Sequence, residues 1–148
     1  MKDFKTTVKL NFPKSGTNTT PKHHFKNFIF KDYFPFVFRH IRECFGIDAG
    51  TYMVSICGDS KLKKVPGAGK SGALFYYSHD DRFVIKTVTK KESDALFDML
   101  PYYYNHVMAN PNTLIVKFLS FHRLQIGGGR NVSYPIQSFT YFFTFLFY

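Results

Sequence analysis

Gly67, Gly69 and Gly72 bracket Lys70 and Ser71, and fourteen residues after the last glycine the chain reaches Lys86 in the run Val84-Ile85-Lys86. Glycines let a backbone close on phosphate oxygens and present its N–H groups to them. A lysine on a neighbouring strand adds a compact positive charge. These residue types at this spacing suit binding of a nucleotide's phosphates. The G-x-G-x-x-G pattern alone is weak, because several nucleotide folds use similar loops. A dinucleotide fold or a P-loop needs a helix directly after the glycines. Here the chain continues Ala73-Leu74-Phe75-Tyr76-Tyr77-Ser78, then His79-Asp80-Asp81, then Arg82-Phe83-Val84-Ile85-Lys86-Thr87-Val88. Aromatic and β-branched enrichment on both arms predicts strand, tight turn, strand. The Walker pattern also fails, since its first glycine would fall at Lys64.

A glycine loop that opens a hairpin, with a lysine on the next strand, is the ATP clamp of protein kinases. Such a lysine is oriented by an acid on the following helix. Glu92, Asp94 and Asp98 are the candidates. Glu92 already sits at N3 of a capping box begun by Thr89, and the sequence leaves the choice open. The helix beyond groups Leu96, Met99 and Leu100, Pro101 ends or kinks it, and helical spacing resumes through Tyr103 and Val107.

The remaining elements follow from pattern. Residues 1–27 are polar and basic without a sustained period, which predicts a disordered or loosely docked leader. Asp32 can cap a helix with Pro35 in its first turn. Its apolar face would hold Phe36, Val37, His40, Ile41, Cys44 and Phe45, and Gly46 would stop it. His40 has no ligand partner nearby and reads as a packed, hydrogen-bonded side chain. Tyr52–Cys57 fits a strand or a helical turn equally well, and 58–66 reads as a charged connection. Asn110-Pro111-Asn112 is a turn, 113–126 is strand material, and the three glycines from Gly127 form a hairpin tip before a return strand begins at Arg130. From Ser133 onward the pattern breaks. Seven of the ten residues from Phe139 to Tyr148 are aromatic and none is charged. This divergent tail is expected to lie outside the fold, as a translated T-rich intron or frame change; an interfacial anchor is the functional alternative.

With 148 residues the chain suits one modest domain or half of a two-lobed enzyme. The 19 Phe and 10 Tyr, with no Trp, are explained more cheaply by A/T-rich codons than by an aromatic surface. A net charge of +10 implies an acidic partner. Many of those charges lie in the leader, but Lys61, Lys63, Lys64 and Lys70 cluster by the glycine loop. Cys44 and Cys57 have no metal or redox spacing, which fits a reducing compartment. There is no visible signal peptide, and no apolar run reaches the ~18 residues that read as a membrane span. A cytoplasmic protein, peripheral to membranes, is expected.

Asp32-Tyr33-Phe34-Pro35, Val37-Phe38-Arg39, Phe45-Gly46-Ile47-Asp48, Lys70-Ser71-Gly72 and Asp81 to Thr87 together resemble the phosphatidylinositol phosphate kinases. Leu100-Pro101-Tyr102-Tyr103, Asn110-Pro111-Asn112-Thr113-Leu114 and Lys117-Phe118 extend the similarity, which looks closest to the phosphatidylinositol 4-phosphate 5-kinases and covers roughly 28–132. The resemblance implies an α+β kinase-type N-lobe, an antiparallel sheet with helices, truncated before the C-lobe. It places Lys70, Ser71 and Gly72 on the nucleotide loop and Lys86 on the phosphate-binding, catalytic lysine. Leu74 and Val84 would sandwich the adenine from above. It implies ATP, magnesium held by a second lobe, a phosphoinositide substrate on an anionic membrane surface, and a possible homodimer. The hinge, catalytic aspartate, metal-binding aspartate and lipid-selecting loop expected after Val132 are not found, so this chain alone is expected to be inactive. The competing readings are a basic aromatic nucleic-acid module, stacking bases on Leu74-Phe75-Tyr76-Tyr77, and a non-catalytic scaffold docked on anionic lipid. No nucleic-acid partner is expected.

Overall fold

The computed structural model describes residues 4–66, 72–127 and 129–138. Among these residues seven strands and three helices occur in the order β1 (Thr7–Phe12), β2 (Phe28–Tyr33), α1 (Pro35–Cys44), α2 (Ala49–Cys57), β3 (Lys63–Pro66), β4 (Leu74–Tyr77), β5 (Phe83–Lys86), α3 (Lys90–Ala109), β6 (Phe118–Ile126) and β7 (Arg130–Ser138). The strands form one sheet in the order β1-β2-β6-β7-β5-β4-β3, with each neighbouring pair antiparallel. The α+β class and the antiparallel sheet with helices are thus present. No helix among the described residues is long and apolar enough to cross a membrane.

Two segments differ from the sequence-based reading. The leader supplies β1, which pairs with β2 from Thr7↔Tyr33 to Phe12↔Phe28. Residues 7–11 are exposed, so backbone pairing holds this edge strand and burial gives no pattern to read. Phe12 and Phe28 stack at 4.8 Å with planes 7° apart. The connecting loop is tied down by Lys14 N–H donating to Asn27 Oδ1 (2.8 Å) and His23 N–H to the Lys14 carbonyl (3.2 Å). At the other end, the boundary drawn at 132 falls inside β7, whose Ser133, Pro135 and Ile136 are buried. Proline lacks a donor and is disfavoured in central strands. Pro135 is accommodated because the β5–β7 ladder lapses there: it runs from Phe83↔Ser138 to Ile85↔Ile136 and resumes only as the bridge Val88↔Ser133. Residues 139–148 lie outside the described residues.

The helices also correct details. Asp32 stays in β2, opposite His122, and does not cap α1. The N-cap is Phe34 in the left-handed region (φ 53°) with Pro35 following. Val37 and Ile41 are buried as expected and Phe38, left off the expected face, is buried too, whereas Phe36 is 64% exposed. Asp48 caps α2 by accepting from Thr51 N–H at 2.8 Å, which decides for helix in the ambiguous 52–57 segment. Pro101 lies inside α3 and does not end it, because Leu100, Tyr103, Tyr104 and Val107 on either side are all buried. His40 Nδ1 meets the Tyr104 hydroxyl at 2.5 Å, the packed role expected of it.

Two apolar clusters result. One joins α1 and α3 through Val37, Phe38, Ile41, Leu100, Val107 and Phe121. The other places Tyr52 of α2 against Phe83, Ile85, Leu119 and Ile136. A register irregularity between Phe118 and Ser120 lets Leu119 and Phe121 serve different clusters although only two positions apart.

Candidate functional site

Lys86 closes β5, and the capping box of α3 starts three residues later. Thr89 Oγ1 accepts from Glu92 N–H (3.2 Å), while Glu92 Oε2 accepts from Thr89 N–H (2.7 Å). The second oxygen, Oε1, stands 3.3 Å from Lys86 Nζ. One carboxylate therefore caps the helix and orients the lysine. The capping role, which seemed to compete with ion pairing, supports it by fixing the side chain. Hydrogen bonds from the Thr89 backbone and side chain hold the Glu92 carboxyl below its ordinary range, with Lys86 adding to the effect. Asp94 is engaged elsewhere, by Lys90 Nζ at 3.1 Å.

The lysine's stem is packed and its head is accessible. Val84 and Ile85 are buried, while the Lys86 side chain is 31% exposed and that of Glu92 47%. A half-exposed pair contributes little to stability. Its effect is positional: Nζ is held at the sheet surface with donors to spare.

The register settles which residues share the face of Lys86. Cross-strand partners lie on one face of a sheet and successive residues alternate. Phe75 is directly opposite Lys86, and Tyr77 is opposite Val84, so these four share a face. Leu74 and Tyr76 lie on the other face, with Ile85 and Thr87. The expectation that Leu74 and Val84 jointly cover an adenine is therefore corrected: Leu74 is on the other face, and Phe75 and Tyr77 are the β4 residues that share the face of Lys86 and Val84. Counting from Gly72 as in protein kinases selects Leu74, whereas the hydrogen-bonded register shifts the choice by one.

Gly72 has φ +65° and open space where a Cβ would stand, so the left-handed backbone, and not crowding, is what calls for glycine there. Lys70 and Ser71 lie outside the described residues, as do Gly67 and Gly69.

The far end of the hairpin is fixed by a polar latch that sequence reading missed. Asp80 accepts from Ser55 Oγ of α2 (2.5 Å), from Ser78 Oγ (2.6 Å) and from Arg82 N–H (3.3 Å). Burial would raise its carboxyl, but these hydrogen bonds prevail and bring it to about 2. Asp81 adopts φ 55°, and its carboxylate takes Lys63 Nζ at 2.9 Å, joining β3 to the turn. A short Ser-x-Asp turn was the available signal; its partner Ser55, 25 positions earlier, was not.

A family model described as phosphatidylinositol-4-phosphate 5-kinase matches residues 56–143, past the boundary at 132. The chain is 50% identical over 130 residues to phosphatidylinositol 4-phosphate 5-kinase 7 of Arabidopsis thaliana, covering 88% of this chain and 17% of that protein. It is 48% identical over 139 residues to phosphatidylinositol 4-phosphate 5-kinase 1 of Oryza sativa subsp. japonica, again covering 88% and 17%. The chain thus spans about a sixth of the length of these relatives. Glycine loop, hairpin lysine and capped helix acid occur here within a sequence that matches the family model over more than half its length, and the chain belongs to the phosphatidylinositol-4-phosphate 5-kinase family.

Proposed function

We propose that this chain is the ATP-binding lobe of a lipid kinase that transfers the γ-phosphoryl group of ATP to a phosphoinositide head group. The observation that carries the reading is the Lys86–Glu92 pair, built on the capping box at the edge of the glycine-loop hairpin. Lys86 would meet the α- and β-phosphates, Gly72 with Lys70 and Ser71 would close the backbone over them, and Phe75 and Val84 would cover the base from the sheet side. ATP supplies the phosphoryl group. The chain's own part is to place the phosphates and to balance their charge as it shifts toward the leaving oxygen.

Magnesium does not fit the described residues, among which no group of three or more His, Cys, Asp or Glu side chains could hold a metal ion. Its ligands and the catalytic base are assigned to a second lobe, and this chain alone is expected to lack transferase activity. The substrate side of the proposal is a phosphoinositide at a membrane surface, reached by a cytoplasmic, peripheral protein.

The test separates binding from turnover. Equilibrium dialysis of this chain with ATP should show saturable binding, weakened at least tenfold by Lys86→Met, with a far-ultraviolet spectrum and melting curve close to the parent's. A version extended to the relatives' length should phosphorylate phosphatidylinositol 4-phosphate vesicles and lose that activity with Lys86→Met. Full activity in that variant sinks the assignment. Preference for RNA over such vesicles at equal phosphate concentration would favour the nucleic-acid reading.

A further inference from the structure

The face of the sheet opposite Lys86 carries a cavity. Its volume is about 490 Å³, within the range of ligand pockets. Its floor crosses from Tyr76 and Ile85 to Ile136, runs along β7 through Tyr134 to Val132, and leaves across Leu124 to Phe30, spanning five adjacent strands. Ile56 and Cys57 of α2, with Leu62 beyond it, form one wall. Ile136 lies opposite Ser120 and Val132 opposite Leu124, so four interstrand steps of about 4.8 Å combine with a four-residue offset of about 13 Å into a diagonal path of roughly 23 Å. One leaflet of a bilayer's ~30 Å hydrocarbon core is about 15 Å deep, so the path is long enough for a single extended acyl chain.

Its ends differ in charge. Near Phe30 the wall includes His122, whose Nδ1 lies 3.2 Å from the Asp32 carboxylate, which disfavours an anion there. At the opposite end Lys64 is cross-strand from Tyr76 and hence on the trough's face. Lys61 and Lys64, on either side of the lining residue Leu62, are exposed and have no ion-pair partner among the described residues. Lys63, between them, is engaged by Asp81.

We infer that this trough is a binding site for a single-chain anionic amphiphile, its aliphatic chain lying across β4, β5, β7, β6 and β2 and its head group against Lys64. The ligand class is a long-chain carboxylate. The site is independent of the nucleotide reading, because Lys86 and its neighbours Phe75 and Val84 lie on the other face.

Palmitate below its micelle concentration is the probe, with equilibrium dialysis for affinity and alkylation of Cys57, resolved from Cys44 by peptide mass, for location. One palmitate should bind per chain and slow Cys57 alkylation, and ATP should not displace it. Lys64→Glu should weaken binding about tenfold, and palmitamide, the same chain without the charge, should bind the parent about tenfold more weakly than palmitate. Cys57→Trp, which fills the wall from an exposed position, should abolish binding while leaving the melting curve unchanged. Non-saturable uptake, undiminished binding in Cys57→Trp or Lys64→Glu, or displacement by ATP would each overturn the proposal.

Discussion

Replacing Lys86 by methionine separates a positional role from a structural one. The methionine keeps most of the stem that packs beside buried Val84 and Ile85 and removes only the ammonium. What is lost in the free protein is one ion pair at 3.3 Å between side chains 31% and 47% exposed. Solvent screening limits such a pair to about 0.2–1 kcal/mol. The abandoned Glu92 carboxylate is not stranded, since it still accepts from Thr89 N–H and reaches water. Stability should therefore fall by less than about 1 kcal/mol, measured by urea denaturation. A charge-assisted bond to phosphate contributes about 1.5–3 kcal/mol, so ATP affinity should fall roughly 10- to 150-fold. A double-mutant cycle with Glu92→Gln adds a pH test. The Glu92 carboxyl is held below its ordinary 4.5, first by the Thr89 bonds and then by Lys86. A lowered folded value means that the contribution is complete above the unfolded value and disappears as pH falls through the folded one. The coupling energy should be constant from pH 5 to neutrality and fade as pH falls below about 4.5. Unchanged ATP affinity, a stability loss above about 2 kcal/mol, or a coupling that persists at pH 2 would each refute the reasoning.

Asp80→Asn should cost about 1 kcal/mol by weakening the Ser55 and Ser78 bonds; because the parent carboxyl sits near 2 against an ordinary 3.8, the difference should shrink as pH falls from 4 toward 2, read by denaturation at stepped pH. Tyr52→Phe should cost about 1–2 kcal/mol, since its hydroxyl donates to the buried Ser120 Oγ at 2.8 Å. Burial raises the Tyr52 and Tyr103 hydroxyls to about 12, so their stabilising effect is full below pH 10 and lost as pH rises through 12; ultraviolet titration should show a late-ionising tyrosine class that is smaller in Tyr52→Phe. Phe121→Ala, opening a cavity between α1 and α3, should cost about 3–5 kcal/mol in chemical denaturation. Truncation after Val132 should leave no cooperative melting transition, because it removes buried Ser133, Pro135 and Ile136 and with them most of β7, which joins β5 to β6.

The elements read correctly were those whose signal is local. The β4–β5 hairpin shows as two aromatic and β-branched runs around His79-Asp80-Asp81, and the Thr89–Glu92 capping box is complete within four residues. The misreadings share a cause, which is dependence on distant partners. β1 resembles a leader because an exposed edge strand needs only β2's backbone. The uncharged aromatic run that follows makes β7 resemble the end of a fold, and only its pairing with β6 and β5 reveals the strand. Asp32 has the chemistry of a helix cap, yet His122, 90 positions later, keeps it in the sheet. At the site, residue types pointed to Lys86 and to the acids of α3. Choosing Glu92 among those acids, and Phe75 over Leu74, required a hydrogen-bond geometry and a register that composition does not encode.

The double engagement of Glu92 has a mechanical consequence. An acid in mid-helix can be carried toward or away from its lysine by rigid movement of an intact helix. Here the acid belongs to the first turn, and the bonds that aim it at Lys86 are the same ones that start the helix. Moving α3 as a rod would strain that turn, whereas melting the turn frees the acid directly. An off state of this lobe would then be a frayed helix end and not a swung helix. Its signature would be fast amide exchange confined to Thr89, Glu92 and Ser93, while the amides around Leu100 and Val107 remain protected.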